Sequence, residues 1–163
     1  DRKKAIFKKK ELDLNDLAEN VANTFTLRVE HTGGHIQTQL NAKEPTIYVD
    51  EMHFTNVVFN LMDNAIKYKH PDRPLQLRVS TESTDSRYII RVADNGIGIK
   101  KEDLKKIFEK FYRVHTGNRH DVKGFGLGLA YVKNVVTALG GNIHAESEYG
   151  RGTTFIISLP LLK

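Results

Sequence analysis

The sequence contains no cysteine, and none of its apolar runs approaches the roughly twenty residues that a membrane-spanning helix needs. The absence of cysteine excludes a disulfide framework and a thiolate metal site, and it fits a reducing compartment. The first residues also lack the pattern of a secretory signal peptide, so we expect a soluble, cytoplasmic piece. With 163 residues, of which 39% are hydrophobic and 28% charged, the chain is long enough for one domain around one core.

The charge is basic, but no nucleic-acid signature accompanies it. The formal net charge is +5, and lysine and arginine concentrate at residues 2–4 and 8–10. A modest excess of lysine is typical of a solvated surface, and no DNA- or RNA-binding motif occurs anywhere in the chain. We therefore expect no nucleic-acid partner.

Alternating apolar residues and helical periodicity predict a chain of mixed strands and helices without an internal repeat. Strands are predicted at 7–14 (an edge strand), 35–40, 46–49, 75–81, 87–93, 142–147 and 153–159, and helices at 15–30, 101–108 and about 128–139. A further helix follows Asp50, its expected N-cap, and carries an apolar stripe from Phe54 to Ile66. The first helix is expected to bury Leu17, Val21, Phe25 and Leu27. The strands at 75–81 and 87–93 read as a hairpin, so we predict a layer of helices on one face of a mixed sheet.

Three motifs with chemical content follow one another along the chain. The helix after Asp50 contains NLMDNAIKY at residues 60–68, DNGIGI stands at 94–99 directly after a strand, and GFGLGL stands at 124–129 directly before a helix. A single glycine run marks many ordinary turns, but a polar helix and two glycine runs in this order predict a nucleotide pocket.

In this order and spacing the motifs resemble the catalytic ATP-binding domain of sensor histidine kinases, a branch of the superfamily shared with gyrase, heat-shock chaperone and mismatch-repair ATPases. The resemblance runs from about residue 15 to 160. It implies an α+β, two-layer sandwich of the Bergerat type, with a mixed, mostly antiparallel sheet and helices on one face. It also implies that residues 7–163 form the ATP-binding domain and that residues 1–6 are the end of a connector from a helical hairpin domain.

Adenine recognition is assigned to the first glycine motif. Tyr88, Ile90, Val92 and Asp94 share one face of a strand, so Asp94 ends an apolar row and needs a partner. In the family the corresponding aspartate accepts a hydrogen bond from the exocyclic amine of adenine. The resemblance implies these further nucleotide contacts: Tyr68, Gly96, Gly98, Ile99, Phe111, Leu127 and Thr153.

Metal binding and catalysis are assigned to the polar helix. Asn60, Asn64 and Lys67 are four and three residues apart and so share one face. By resemblance, the Asn64 amide oxygen binds the Mg²⁺ that arrives with ATP, and Lys67 offsets phosphate charge. Asn60 replaces the glutamate that activates water in hydrolysing relatives, and an amide is no base at neutral pH. Arg113 is a candidate for contacting the γ-phosphate or orienting the acceptor domain.

Phosphate binding is assigned to the second glycine motif. Gly124, Gly126 and Gly128 lead into a helix whose first backbone amides are unpaired and whose dipole favours anions. Residues 114–124 are expected to form the lid over ATP. Lys123 and Phe125 depart from the small polar residues that are common at these positions in the family.

The resemblance implies a partner domain and leaves other functions open. The acceptor is expected to be a histidine on the dimerisation domain of the same kinase, since none of the seven histidines here stands in the acceptor context. The parent protein is expected to be a homodimer in the bacterial inner membrane with a response regulator downstream, and the isolated domain a monomer. An anti-sigma-type serine kinase and a nucleotide-binding module without phosphotransfer remain as alternatives.

Overall fold

The computed structural model describes residues 7–109 and 125–161, and for residues 125–127 it describes the backbone only. The strands are β1 (Lys9–Asp13), β2 (His35–Leu40), β3 (Thr46–Asp50), β4 (Gln76–Ser83), β5 (Arg87–Asp94), β6 (Asn142–Glu148) and β7 (Gly152–Pro160). The helices are α1 (Leu14–His31), α2 (Glu51–Lys67), α3 (Lys101–Leu104) and α4 (Phe125–Ala138). The predicted order of strands and helices is confirmed.

The strands form two sheets. Five of them lie in the order β2-β4-β5-β7-β6, in which β2 and β4 run parallel and the other neighbours run antiparallel. The predicted hairpin is β4 and β5. The first strand is not an edge strand of this sheet, because β1 pairs with β3 in a separate two-stranded sheet. Its lysines are exposed, as expected.

Capping side chains fix where the two long helices begin. Asp50 caps α2 as predicted, since its Oδ1 accepts a hydrogen bond from the His53 N–H at 2.9 Å and its Oδ2 accepts one from the Lys8 N–H at 2.6 Å. The hydrogen bond from His53 is the main reason that the pKa of Asp50 is lowered. Asp13 caps α1 in the same way through the Asp16 N–H. The capped end of α2 therefore lies beside β1 and β3, and its other end points toward the glycine motif after β5.

The core lies between the helices and one face of the larger sheet. α2 packs between α1 and α4, while α1 contacts β2 and α4 contacts β6, so the helices cover the same face. Phe25, Phe54, Leu61, Ile90 and Ile157 are among the fully buried side chains. Burial of each contributes roughly 1.5–3 kcal/mol, which holds α2 and β5 in fixed relation. The predicted two-layer α+β class is confirmed.

Two details of the helices differ from the prediction. Leu27 is 81% exposed rather than buried, because it lies two residues, or about 200°, around the helix from the buried Phe25. The helical part of the third helix ends at Leu104 instead of continuing to residue 108. Within the described residues, no helix has both the length and the apolar character that crossing a membrane requires.

A buried polar cluster joins α1 to the sheet away from the glycine motifs. The Asn15 Oδ1 accepts hydrogen bonds from Thr81 Oγ1 at 2.8 Å and from Tyr88 Oη at 3.2 Å. Burial raises the pKa of Tyr88, so its hydroxyl stays a donor. The cluster holds the start of α1 against β4 and β5.

Candidate nucleotide-binding site

Asp94 is the last residue of β5 and follows the buried row of Tyr88, Ile90 and Val92. Its Oδ1 accepts a hydrogen bond from the Gly96 N–H at 2.8 Å and a longer one from the Thr153 N–H at 3.3 Å. Burial raises the pKa of Asp94 from 3.8 to about 6, although both hydrogen bonds lower it. Its Oδ2 accepts no hydrogen bond from any residue that the structure describes, so this oxygen is free to accept one from a ligand.

The first glycine motif is packed between the end of α2 and the turn that joins β6 to β7. A Cβ on Gly96 would lie 2.4 Å from the Tyr68 carbonyl oxygen, which itself accepts a hydrogen bond from the Ile97 N–H at 3.0 Å. Gly98 has a φ of +74°, and a Cβ there would lie 2.3 Å from the Glu148 carbonyl oxygen. Both positions therefore require glycine for contacts within the protein. Their predicted approach to a purine is a separate expectation and stays a prediction.

Residues from three segments of the chain line one pocket. Its described lining consists of Asn64, Tyr68, Asp94, Gly98, Ile99, Thr153 and Phe155. All but Phe155 were predicted as nucleotide contacts. Ser147 connects the first glycine motif to β7, because its Oγ accepts a hydrogen bond from the Ile99 N–H at 2.8 Å and lies 2.9 Å from the Thr153 Oγ1. The pocket combines the Asp94 carboxylate with apolar surface from Ile99 and Phe155, which suits a flat heteroaromatic ring with one polar edge.

Asn64 lies on the pocket side of α2 and is 8% exposed. Its amide nitrogen is buried without a hydrogen-bond partner among the described residues. An unpaired buried amide costs roughly 1–3 kcal/mol, so its presence calls for a ligand or a functional reason. Since the amide group can rotate to present its oxygen, this observation fits the predicted role of Asn64 as a Mg²⁺ ligand.

Asn60 lies one turn before Asn64 and faces the start of α4. Its Nδ2 donates a hydrogen bond to the Asn56 carbonyl oxygen at 2.8 Å, and its Oδ1 would lie 3.4 Å from a Cβ on Gly128. The polar helix and the second glycine motif, far apart in sequence, are therefore neighbours. α4 begins at Phe125, three residues before the predicted start, which places Gly126, Leu127 and Gly128 in its first turn.

Lys67 lies at the end of α2 and is exposed. Its Nζ forms an ion pair with Asp63 Oδ2 at 3.0 Å, and the other oxygen of Asp63 pairs with Arg28 at 3.0 Å. Lys67 is not among the residues that line the described pocket. Its predicted contact with phosphate stays a prediction.

Several predicted residues fall outside the described part of the chain. These are Phe111, Arg113 and Gly124, together with residues 114–123 of the predicted lid and the connector at residues 1–6. The side chains of Phe125 and Leu127 are likewise not described. The roles assigned to these residues stay predictions.

Three residues at the site were missed by the sequence analysis. Arg73 donates hydrogen bonds to carbonyl oxygens of the two loops beside the pocket, but it stands in an irregular stretch between two prolines and gives no signal in the sequence. Ser147 gives none either, because an isolated serine in a strand is common. Phe155 could have been found, since it follows Thr153 by two residues in a predicted strand and so shares its face.

Comparison with known proteins agrees with this geometry. Residues 49–163 match the family described as histidine kinase-, DNA gyrase B- and HSP90-like ATPase. Sensor protein RprX of Bacteroides fragilis (strain YCH46) is 61% identical over 163 residues, which are 100% of this chain and 31% of RprX. The chain therefore spans about a third of the length of this relative.

Two solved structures share the fold. The nucleotide-free catalytic domain of histidine kinase ThkA superposes with a TM-score of 0.81 at 23% identity, covering 94% of this chain and 98% of that one. Full-length ShkA in complex with AMPPNP gives a TM-score of 0.81 at 28% identity, covering 96% of this chain and 32% of that one. The chain is an ATP-binding domain that belongs to the histidine kinase-, DNA gyrase B- and HSP90-like ATPase family, and within that family it is a catalytic domain of the sensor histidine kinase type.

Proposed function

We propose that the domain binds Mg²⁺·ATP in the pocket around Asp94 and donates the γ-phosphoryl group to a histidine on the dimerisation domain of the same sensor kinase. One observation carries this proposal. A half-buried carboxylate with a free oxygen, an unpaired buried amide and the first turn of a glycine-rich helix lie around one end of α2. Each of these groups complements a different part of Mg²⁺·ATP.

Adenine is the base that this pocket favours. The free Oδ2 of Asp94 would accept a hydrogen bond from the exocyclic amine of adenine, whereas guanine presents a carbonyl oxygen at that position and would be repelled. Because the pKa of Asp94 is about 6 in the free domain, most of the carboxylate is ionised at neutral pH and able to accept. Ile99 and Phe155 supply apolar surface for the ring.

The phosphates would lie between α2 and the start of α4. The first four amides of an α-helix have no partner within it, so the backbone N–H groups at the start of α4 would serve as donors for phosphate oxygens. Asn64 would hold Mg²⁺, whose charge offsets that of the phosphates when it is bound. Lys67 would add to this charge while remaining near Asp63.

Asn60 supports transfer to a protein group over hydrolysis. It lies beside the first turn of α4, where a water-activating base would be needed, and its amide cannot take a proton at neutral pH. The imidazole of a histidine is itself a nucleophile and needs less activation than water. Arg113 would contact the γ-phosphate or orient the acceptor domain.

The acceptor, the dimer and the signalling partner lie beyond this domain. We infer that the parent protein is a homodimeric sensor in the bacterial inner membrane with a response regulator downstream, and that the isolated domain is a monomer. The name of its relative, sensor protein RprX, supports a sensory role.

A phosphotransfer assay tests the proposal. The domain is mixed with radiolabelled Mg²⁺·ATP and the purified histidine-bearing hairpin domain of its parent chain. We expect phosphate on the hairpin that is labile in acid and stable in base, and none with Asp94→Ala. Asp85→Ala is the matched control, because Asp85 is an exposed carboxylate in the turn between β4 and β5, at the opposite end of β5 from Asp94.

Other outcomes distinguish the alternatives. Acid-stable phosphate on a protein partner would indicate the serine kinase. Binding of ATP without transfer to the hairpin would indicate a nucleotide-binding module. Rapid steady-state hydrolysis by the isolated domain would contradict the role assigned to Asn60.

A further inference from the structure

Arg73 lies in the connection between α2 and β4 and is half-buried. Its Nε donates a hydrogen bond to the Asn95 carbonyl oxygen at 2.8 Å. Its Nη2 donates to the carbonyl oxygens of Gly96 at 3.1 Å, Gly150 at 2.8 Å and Arg151 at 3.3 Å. One guanidinium group therefore joins two adjacent carbonyls of the first glycine motif to two adjacent carbonyls of the β6–β7 turn.

The two donors that hold Asp94 come from the first of these loops and from the start of β7, directly after the second. The Gly96 N–H comes from the first loop, and the Thr153 N–H comes from the segment just after the turn. The hydrogen bond from Thr153 is the longer of the two, at 3.3 Å. A small separation of the loops would therefore break it first, and Oδ1 would then be held from one side only.

We propose that Arg73 is a positioning residue for base recognition, which fixes the spacing of the two loops and so aims the free oxygen of Asp94 at the exocyclic amine of adenine. This proposal rests on the ATP binding proposed above. Arg73 does not line the described pocket and acts through the two loops.

The geometry of the arginine guanidinium group suits the role of fixing the spacing of two loops. Its planar guanidinium presents several donors in a fixed arrangement and can serve two pairs of carbonyls at once, whereas a lysine ammonium is a point charge on a flexible stem. Hydrogen bonds from a charged donor are also stronger than those between neutral groups. Lysine at this position keeps the charge but cannot reproduce the geometry.

The test compares the affinity of the domain for Mg²⁺·ATP and Mg²⁺·GTP by calorimetry, in the wild type, Arg73→Ala and Arg73→Lys. We expect the preference for ATP over GTP to fall at least about tenfold in both variants. Without the charged hydrogen bonds from Arg73 to the two loops, the Asp94 carboxylate is no longer held in one direction. Arg78→Ala is the control, because Arg78 is an exposed arginine paired in register with Ala93, next to Asp94. It removes a nearby positive charge without touching the loops and should change the preference less than about twofold.

The outcomes separate a positioning role from a structural one. A lower melting temperature with an unchanged ATP preference would overturn the proposal, as would variants that do not fold, because Arg73 would then serve the fold alone. A wild-type domain that binds neither nucleotide would refute the proposed function instead. As a second readout, the Thr153 amide resonance should follow the ionisation of Asp94 with pH in the wild type but not in Arg73→Ala.

Discussion

Replacing Asp94 with asparagine changes one oxygen of the base-binding group into a donor. The two backbone N–H groups of Gly96 and Thr153 require an acceptor, so the amide oxygen will take the place of Oδ1. The NH₂ group then occupies the place of Oδ2 and faces the ligand. It opposes the exocyclic amine of adenine and complements the carbonyl oxygen of guanine.

The loss of affinity for ATP can be estimated from this change. A hydrogen bond to a charged group contributes about 1.5–3 kcal/mol, which corresponds to roughly 10- to 150-fold in the dissociation constant. The opposed donors add to the loss. We therefore expect Asp94→Asn to bind Mg²⁺·ATP at least about tenfold more weakly and to lose its preference for ATP over GTP.

The same substitution should stabilise the free domain at neutral pH. Burial raises the pKa of Asp94 from 3.8 to about 6, so the contribution of this carboxyl group to stability is fully present below 3.8 and is lost as the pH rises through 6. The ionised group therefore costs up to about 3 kcal/mol above that pH. Asparagine removes this cost, and a gain of even 1 kcal/mol raises the melting temperature of such a domain by about 2–4 °C.

Calorimetric titration and thermal unfolding between about pH 5 and pH 8 measure both effects. In the wild type, affinity for ATP should fall as the pH drops below 6, because the protonated carboxyl group no longer accepts. In Asp94→Asn it should be weak and independent of pH. Asp85→Asn controls for the change of charge. A variant that keeps its ATP affinity, or that loses stability at neutral pH while binding normally, would refute the assignment of Asp94.

Three further substitutions test other parts of the site. Gly98→Ala should destabilise the domain by at least about 2 kcal/mol in chemical denaturation, because its φ is +74° and the new Cβ would meet the Glu148 carbonyl. An unchanged denaturation midpoint would contradict this packing. Asn64→Ala should leave the melting temperature nearly unchanged, since it removes an unpaired buried amide. It should abolish the Mg²⁺-dependent part of the affinity for ATP. A large drop in melting temperature would instead indicate a structural role for Asn64. Tyr88→Phe should cost about 1 kcal/mol through the lost hydrogen bond to Asn15 and leave ATP affinity unchanged, so weaker binding would show that the two regions are coupled.

The features that could be predicted from the sequence are those with a local signal. The apolar stripe of α2, the N-cap Asp50 and the alternating strands β4 and β5 depend on residues a few positions apart, and all are confirmed. Asp94 stands out as a candidate for the same reason, because it interrupts an apolar row at the end of a strand, and its role stays a prediction. The expected burial of Leu27 was wrong, although its two-residue separation from Phe25 already places it about 200° around α1, on the exposed side.

Features that depend on distant pairing could not be predicted in this way. The sequence of residues 7–14 predicts a strand but does not show that its partner is β3 in a separate sheet. The start of α4 was placed too late because glycine has a low helix propensity. The first-turn amides of an α-helix make no intrahelical hydrogen bonds, so the low propensity has less effect at the start of α4.

Arg73 has no local signal in the sequence and acts through contacts with distant residues. It therefore shows why a motif does not by itself explain a site. The first glycine motif contains the carboxylate and the glycines that allow close packing, but the direction of that carboxylate also depends on a donor at the start of β7, just after the β6–β7 turn. The motif and the turn are held together by a guanidinium group that lies in neither, more than twenty residues before the one and more than seventy before the other. Substitutions outside the recognisable motifs should therefore alter base selectivity, and in this domain Arg73 is the position at which to look for that effect.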